Sequence, residues 1–374
     1  MKMRAAVLYE MGLPRPYAKS QPLRIEEIEL DGPGEEECLV KIKAAGLCHS
    51  DLSVINGDRP RTMPIVVGHE AAGEIVECGR GVKEFKPGDH VAIVFVPSCG
   101  GCIPCQEGRP ALCEPGVAAN TAGTLLSGAR RMRKGALSLN HQVGVSVYAE
   151  YSVCSRHSLV KIDRSIPWEA AALFGCAVIT GAGAVINTGE VKAGSTVAIV
   201  GLGGVGLTAL LAARMAGCRE VIGIDTLESK LQLARQLGAT KVFNAADPKC
   251  AEAVREATRG GVDTALEFAS STDAFALAYK ITRRGGTTVT ASLPNPGHSF
   301  ALPVSNLVVE ERVVKGSYLG SCVPKRDIPR YLALYQQGLL PVDRLLSERV
   351  RFEDMNLGFD RLAEGDSVRQ ILIP

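Results

Sequence analysis

The sequence holds no long hydrophobic run. A long uncharged stretch, residues 195–213, is broken by Gly201, Gly203, Gly204 and Gly206. It therefore reads as strand, turn and helix rather than as a membrane span. The N-terminal MKMRAAVLYE lacks the apolar stretch of a secretory signal and alternates like a strand, so a cytoplasmic protein is expected. A surplus of one charge is missing too: 42 Lys and Arg against 40 Asp and Glu leave +2. That balance gives no hint of a nucleic-acid or membrane surface. The local exception is the basic run Arg130, Arg131, Arg133, Lys134, and runs of that size are mostly solvated loop. No internal repeat or low-complexity segment is present.

Cysteine and glycine are abundant, with 12 and 40 in 374 residues. The length exceeds what one hydrophobic core usually serves, so two domains are expected. In a cytoplasmic chain the cysteines are not expected to pair as disulfides. Up to about residue 175 short β-rich runs (38–45, 72–78, 90–96) alternate with Gly- and Pro-rich loops, the pattern of a β-rich, loop-heavy domain. From about Pro167 strands and helices alternate: strand 196–200, helix 204–216, strand 220–224, helix 228–237. Further units follow at 263–268, 272–280 and 287–290, with a strand at 312–319 and helices at 328–338 and 356–364. This alternation implies a parallel sheet built from βαβ units.

Gly201, Gly203 and Gly206 form GxGxxG directly after the strand TVAIV and open an apolar helix that begins at Gly204 and Val205. In a dinucleotide fingerprint the first glycine makes the tight turn. The second admits the pyrophosphate, and the third lets helix and strand pack closely. Helix N-terminal amides then receive the phosphates. Asp225 ends the next strand nineteen positions after Gly206, where its carboxylate can accept bonds from the adenosine ribose. A carboxylate there repels a 2′-phosphate, so NAD is expected over NADP. Asp225 read on its own could instead cap a loop.

Two further sets of residues have metal chemistry. Cys99, Cys102, Cys105 and Cys113 form CxxCxxCx7C, a spacing open to disulfides, free core thiols or a metal. The cytoplasmic context and the intervening Pro97, Gly100, Gly101 and Pro104 favour a loop fixed by a tetrahedral structural zinc. Cys48, His69 and Cys176 are unremarked singly, but their settings GLCHSD, GHEAAG and FGC set them apart.

Those settings, with Gly73, Gly79 and Val82 at matching spacing, the four-cysteine lobe and GLGGVG, carry a resemblance. The chain resembles the zinc-dependent medium-chain alcohol dehydrogenases, in the longer branch that includes liver-type and glutathione-dependent formaldehyde dehydrogenases. The resemblance runs nearly end to end. It implies an α/β protein in which residues 1–177 and 321–374 make a β-rich, GroES-like catalytic domain and residues 178–320 a doubly wound Rossmann domain for NAD. It implies two zinc ions per subunit, the catalytic one on Cys48, His69 and Cys176 with a fourth position open to water or alcohol.

On this resemblance Ser50 bonds the substrate oxygen and passes its proton on, while Asp51 and Glu70 support the metal ligands. Ser50 and Asp51 could also simply cap a helix. Lys230 joins Asp225 at the ribose, His49 and Arg369 meet the pyrophosphate, and Thr180 and Val205 lie against the nicotinamide. His49 stands where many relatives have arginine, and Ser53 where liver-type enzymes end their proton relay in a histidine. Phe95 matches a pocket-wall aromatic and reads equally as a core residue of its strand. A loop at about 115–139 covers the region where glutathione-dependent members bind their adduct, with Arg130, Arg131 and Arg133 as the available cations.

The expected function is reversible hydride transfer between a primary or aromatic alcohol and NAD. The alternatives are oxidation of S-(hydroxymethyl)glutathione and a non-catalytic zinc- and NAD-binding protein. The expected partners are a small alcohol or aldehyde and a second copy of the chain as a homodimer, with no nucleic acid and no membrane.

Overall fold

The computed structural model describes residues 1–374. They form two compact units, one of Met1–Cys176, Val323–Leu332 and Leu346–Pro374, the other of Ala177–Cys322 and Ala333–Leu345.

The first unit is built on the strand Glu37–Gly46, whose residues are buried along almost its whole length. It pairs antiparallel with Ala71–Cys78, with Tyr151–Ser155 and with the C-terminal strand Arg369–Leu372. His90–Ile93, Leu159–Lys161 and Leu346–Val350 complete a seven-stranded sheet. A closed barrel of Lys2–Leu8, Leu23–Leu30, Met132–Lys134, Leu137–His141 and Ile65–Val66 adjoins it. One core cluster runs through Val40, Ile42, Leu47, Ile55, Ile75, Tyr148 and Phe359, all less than 5% exposed. Burying each aliphatic side chain contributes about 1.5–3 kcal/mol.

The segment at 115–139 is more ordered than a loop. It contains the helix Glu114–Ala122 and, from Met132, the first strand of a hairpin closed by Leu137–His141. Met132 and Leu139 face a buried cluster from that hairpin, an apolar signal that the surrounding charges obscure.

The second unit is a six-stranded parallel sheet. Its order is Lys241–Asn244, Glu220–Asp225, Thr196–Val200, Val262–Glu267, Thr282–Thr290, Val313–Gly316. The first of these in the chain, Thr196–Val200, lies in the middle and is buried at every residue, as a strand covered on both faces must be. The chain winds outward from it in both directions, which places a topological switch point at its carboxyl end. Two helical pieces at 333–345 group with this unit rather than with residues 321–374. Leu340, Val342 and Leu345 are buried, and Arg344 donates to the Gln236 carbonyl at 3.0 Å. No single helix is long and apolar enough to cross a membrane. All twelve cysteines are free thiols.

Candidate active site and dinucleotide site

Within the first unit the chain turns from the strand Glu37–Gly46 into a short helix, His49–Ile55, whose N-cap is Cys48. Ser50 and Asp51 lie in its first turn, and no side chain caps it, so neither plays the capping role that SD suggests. Asp51 is instead fully buried, with His69 Nδ1 at 2.8 Å from its Oδ1. That contact leaves His69 Nε2 to face Cys176 Sγ at 3.3 Å.

Cys48, His69, Glu70 and Cys176 bring one ligand atom each within 4.8 Å of one another, all buried. Two ligands on one tetrahedral zinc stand about 3.5 Å apart, so this donor set fits that ion. Burial opposes a charged imidazolium at His69, yet the Asp51 carboxylate and Cys48 outweigh it and its pKa lies well above the ordinary value. The Cys176 thiol donates to Cys48 and, with His69 and Arg369 nearby, holds the Cys48 thiol well below its usual range. The partner Cys176 is pushed the other way, by Cys48 and by burial. A thiolate and a histidine nitrogen held by a carboxylate are what a soft divalent cation binds.

Glu70 is the fourth member of the cluster, and its Oε2 accepts from Arg369 Nη1 at 2.9 Å with both side chains nearly inaccessible. Arg369 Nε carries no partner. Phe95 is partly buried and meets the His69 ring edge-on, with centroids 5.3 Å apart. Its carbonyl accepts from Asn120 on the helix Glu114–Ala122. His49 is exposed, and the Ser53 hydroxyl donates to the His49 carbonyl at 2.9 Å.

Cys99, Cys102, Cys105 and Cys113 gather their sulfurs within the same 4.8 Å limit. The amides of Cys99 and Gly116 donate to Cys113 Sγ, and those of Gly101 and Cys102 to Cys99 Sγ. Backbone donors draw the Cys102 thiol down to about 7, and burial beside its neighbours pushes Cys105 up to about 12. Four crowded sulfurs with amide donors fit a closed, four-thiolate zinc.

The three basic residues near the lobe are engaged elsewhere. Arg131 pairs with Glu37 at 2.8 Å, Arg133 pairs with Glu29 and Asp31, and Arg130 donates to Asn140 Oδ1 and the Ala122 carbonyl.

In the second unit the glycine fingerprint forms the turn from Thr196–Val200 into the helix Gly204–Met215. Gly201 has φ +89°, and a Cβ on Gly206 would lie 1.8 Å from the Gly201 carbonyl oxygen. At Gly203 a Cβ would meet nothing within 4 Å. Asp225 accepts from the Leu202 amide at 2.7 Å and the Leu227 amide at 3.1 Å, so it does cap the loop. It also lines a cavity of about 620 Å³ with Gly201, Ile224, Thr226, Ala269 and Leu277. Val205 lies in the first turn of the helix after the fingerprint and Lys230 in that of the helix Glu228–Gln236. Thr180 is buried within Ala177–Gly183.

A buried thiolate–imidazole triad in a β-rich unit, with a doubly wound dinucleotide unit in the same chain, defines a metal-dependent dehydrogenase. Comparison with known proteins agrees. Residues 34–164 match the alcohol dehydrogenase GroES-like domain and residues 204–337 the zinc-binding dehydrogenase domain. The chain is 39% identical over 377 residues to putative alcohol dehydrogenase D of Mycobacterium tuberculosis, covering all of both. It is 39% identical to the NDMA-dependent alcohol dehydrogenase of Amycolatopsis methanolica over 381 residues, covering 100% of this chain and 99% of the relative. The crystal structure of benzyl alcohol dehydrogenase from Acinetobacter calcoaceticus superposes with a TM-score of 0.92 at 32% identity, covering 100% of this chain and 99% of that one. The chain belongs to the zinc-dependent medium-chain alcohol dehydrogenases. It is an oxidoreductase of zinc and a nicotinamide dinucleotide, and the glutathione-adduct alternative is not favoured.

Sequence reasoning did not single out Gln142 and Tyr148, which both bond Asp51. The signal available was weak: a glutamine and a tyrosine in a stretch otherwise rich in valine and glycine.

Proposed function

We propose that this chain interconverts a primary or aromatic alcohol and its aldehyde, with NAD as the hydride partner. The observation that carries the reading is the buried set Cys48, His69 and Cys176, its imidazole fixed by Asp51. These three residues hold the catalytic zinc and the four-cysteine lobe holds the structural one. Bound zinc supplies the Lewis acidity that lowers the pKa of an alcohol hydroxyl. Ser50 accepts that hydroxyl's proton and passes it on, Asp51 orients His69, and Glu70 balances Arg369 beside the ligands. Phe95, edge-on to His69, walls the substrate side, and the related benzyl alcohol dehydrogenase supports an aromatic substrate.

The first unit is the catalytic domain and the second the NAD domain. The amides after Gly201, Gly203, Gly204, Val205 and Gly206 receive the pyrophosphate, with His49 and Arg369 as cations for it. Asp225 and Lys230 bind the adenosine ribose, Thr180 and Val205 face the nicotinamide, and the Asp225 charge favours NAD over NADP. Arg130, Arg131 and Arg133 are tied to protein partners, which supports free alcohols over an anionic glutathione adduct. The homodimer reading is supported by the edge strand Val313–Gly316, where Val313 and Val314 are exposed, as are Val304, Val308 and Val309 of the preceding helix. Twelve free thiols suit a reducing, cytoplasmic compartment.

The test is the initial rate of NAD reduction over aliphatic and benzylic alcohols, with formaldehyde measured with and without glutathione and NADP as control. Turnover of free alcohols with NAD is expected. Turnover only of formaldehyde plus glutathione overturns the substrate reading. The identity to an NDMA-dependent relative supports a second reading, in which NDMA serves as acceptor. Running the same panel with NDMA separates the two.

A further inference from the structure

The carboxylate behind the His69 imidazole is held on both oxygens. Asp51 Oδ1 accepts from His69 Nδ1 and also from Gln142 Nε2, at 2.6 Å, while Oδ2 accepts from the Tyr148 hydroxyl at 2.6 Å. The same hydroxyl lies 2.8 Å from the Gly46 carbonyl. It has one proton, and the charged, nearer acceptor takes it.

The two residues also grip the backbone that carries the imidazole. Gln142 Oε1 accepts from the Gly68 amide at 3.2 Å, one residue before His69. The Tyr148 ring occupies the space a Cβ on Gly68 would take, 2.6 Å from its Cδ1, and Gly68 has φ +97°. Tyr148 N–H donates to the Val67 carbonyl and Val147 N–H to the Gly68 carbonyl.

The turn that presents them is not a relaxed one. Val143, a β-branched residue, has φ +44°, and Ser146 has φ +48°. For a valine that conformation is a true outlier, kept only where the surroundings over-determine it. Here they do: the Ser146 hydroxyl accepts from Gln142 N–H at 2.8 Å and donates to the Val66 carbonyl at 2.6 Å. The turn is thereby tied to the strand that leads into Gly68 and His69.

We infer that Gln142 and Tyr148 are positioning residues for the catalytic zinc, clamping the Asp51 carboxylate and the Gly68–His69 backbone so that His69 Nε2 stays aimed at Cys48 and Cys176. This rests on the zinc reading proposed above. A carboxylate with one free oxygen turns about its terminal bond. This one cannot, because each oxygen has its own donor on a rigid turn. The imidazole that bonds it is therefore fixed in tautomer and in tilt.

The experiment takes purified holoenzyme and follows zinc transfer to a chromophoric chelator, resolving the triad ion from the lobe ion, in wild type, Tyr148→Phe and Gln142→Met. The triad site is then loaded with cobalt(II) and its visible spectrum recorded. Outer partners of ligating histidines typically hold metal affinity by 10–100-fold, so a rise of about tenfold in triad zinc loss is expected for each variant. The lobe zinc should leave at the wild-type rate, and the cobalt bands should shift. Tyr148→Phe keeps the ring against Gly68, so it tests the hydroxyl even where Gln142→Met does not fold. Unchanged triad loss with a superimposable cobalt spectrum overturns the inference, and so does a lowered melting temperature with both metal readouts unmoved. Wild-type enzyme that carries only the lobe zinc overturns the zinc reading itself, and the inference with it.

Discussion

Glu70→Gln should destabilise the first unit markedly although it removes only a charge. The Glu70 carboxylate is inaccessible, the Arg369 guanidinium is 3% exposed, and their contact is 2.9 Å. At an effective dielectric of 20, that separation corresponds to about 6 kcal/mol of attraction. Removing one member of such a buried pair generally costs about 3–5 kcal/mol, since the other charge is left unmatched. Burial opposes the Arg369 charge, and Glu70, then Cys48 and Cys176, outweigh it. With Glu70 gone Cys48 and Cys176 remain beside the guanidinium, which places Glu70→Gln near the lower figure of about 3 kcal/mol.

Arg369→Leu leaves the Glu70 carboxylate buried without its cation and beside Cys48, and belongs at the upper figure, about 5 kcal/mol. For a domain of this size each kcal/mol moves the midpoint by about 2–4 °C, so Glu70→Gln should melt roughly 6–12 °C lower. Calorimetry and urea unfolding of zinc-loaded protein at neutral pH supply both numbers. The double variant Glu70→Gln with Arg369→Leu should recover much of the loss, because a buried ion pair replaced as a whole is often nearly neutral. A single-variant cost below about 1 kcal/mol would mean that the pair behaves as an exposed one, and a coupling energy near zero in the cycle would refute the reasoning outright.

Burial, then Arg130 and Arg131, push the His141 pKa down to about 3. An unfolded histidine titrates near 6.5, so this contribution is complete above that pH and is lost as pH falls toward 3. Urea unfolding should show about 2 kcal/mol less stability at pH 5 than at pH 7 on this account. His141→Gln, which keeps an acceptor for the Arg131 amide, should flatten that difference, and an unflattened profile removes the assignment. Cys102→Ser should leave one of the two metal clusters loaded, read as zinc per chain by elemental analysis. Retention of both ions there contradicts the four-thiolate site. Asp225→Asn keeps an acceptor oxygen for one of the Leu202 and Leu227 amides, loses the other, and removes the charge that a 2′-phosphate would face. Its kcat/KM with NADP should rise about tenfold or more, the worth of one relieved repulsion. No gain would mean that Asp225 serves only as a cap.

The parallel sheet was legible because its strands are continuous apolar runs between glycine turns. TVAIV at 196–200 begins and ends where the sequence places it, and the helix from Gly204 ends at Met215, one residue short of the expected 216. Strand 90–96 was read too long: the ladder stops at Ile93, and Phe95 leaves it toward His69. A run of alternating residues does not reveal where a strand loses its partner. The segment 333–345 was assigned by chain order, whereas in the structure it groups with the second unit, where Arg344 donates to the Gln236 carbonyl. The metal-competent cysteines and His69 stood out through residue type and spacing. Their supports did not, because Gln142 and Tyr148 lie over seventy residues from His69 and act through single hydrogen bonds to a carboxylate. Arg131 and Arg133 stood as available cations in a run otherwise read as solvated loop, and their acidic partners, Glu37 on the sheet strand Glu37–Gly46 and Glu29 and Asp31 at the neighbouring barrel strand, meet them only in the fold.

The C-terminal strand has a consequence for the order of synthesis. Arg369–Leu372 lies inside the first unit's sheet, between Glu37–Gly46 and Leu346–Val350, with Ile371 opposite Gly46. The segment that completes the sheet beside Cys48 thus leaves the ribosome after every residue of the second unit. The second unit can close while the chain is still being made, since domains generally fold as units during synthesis. The first unit cannot. Its Cys48 and Cys176 sulfurs and the Glu70 carboxylate must wait for Arg369, so a chain cut just before Arg369 keeps all three groups and loses the cation that makes their company tolerable.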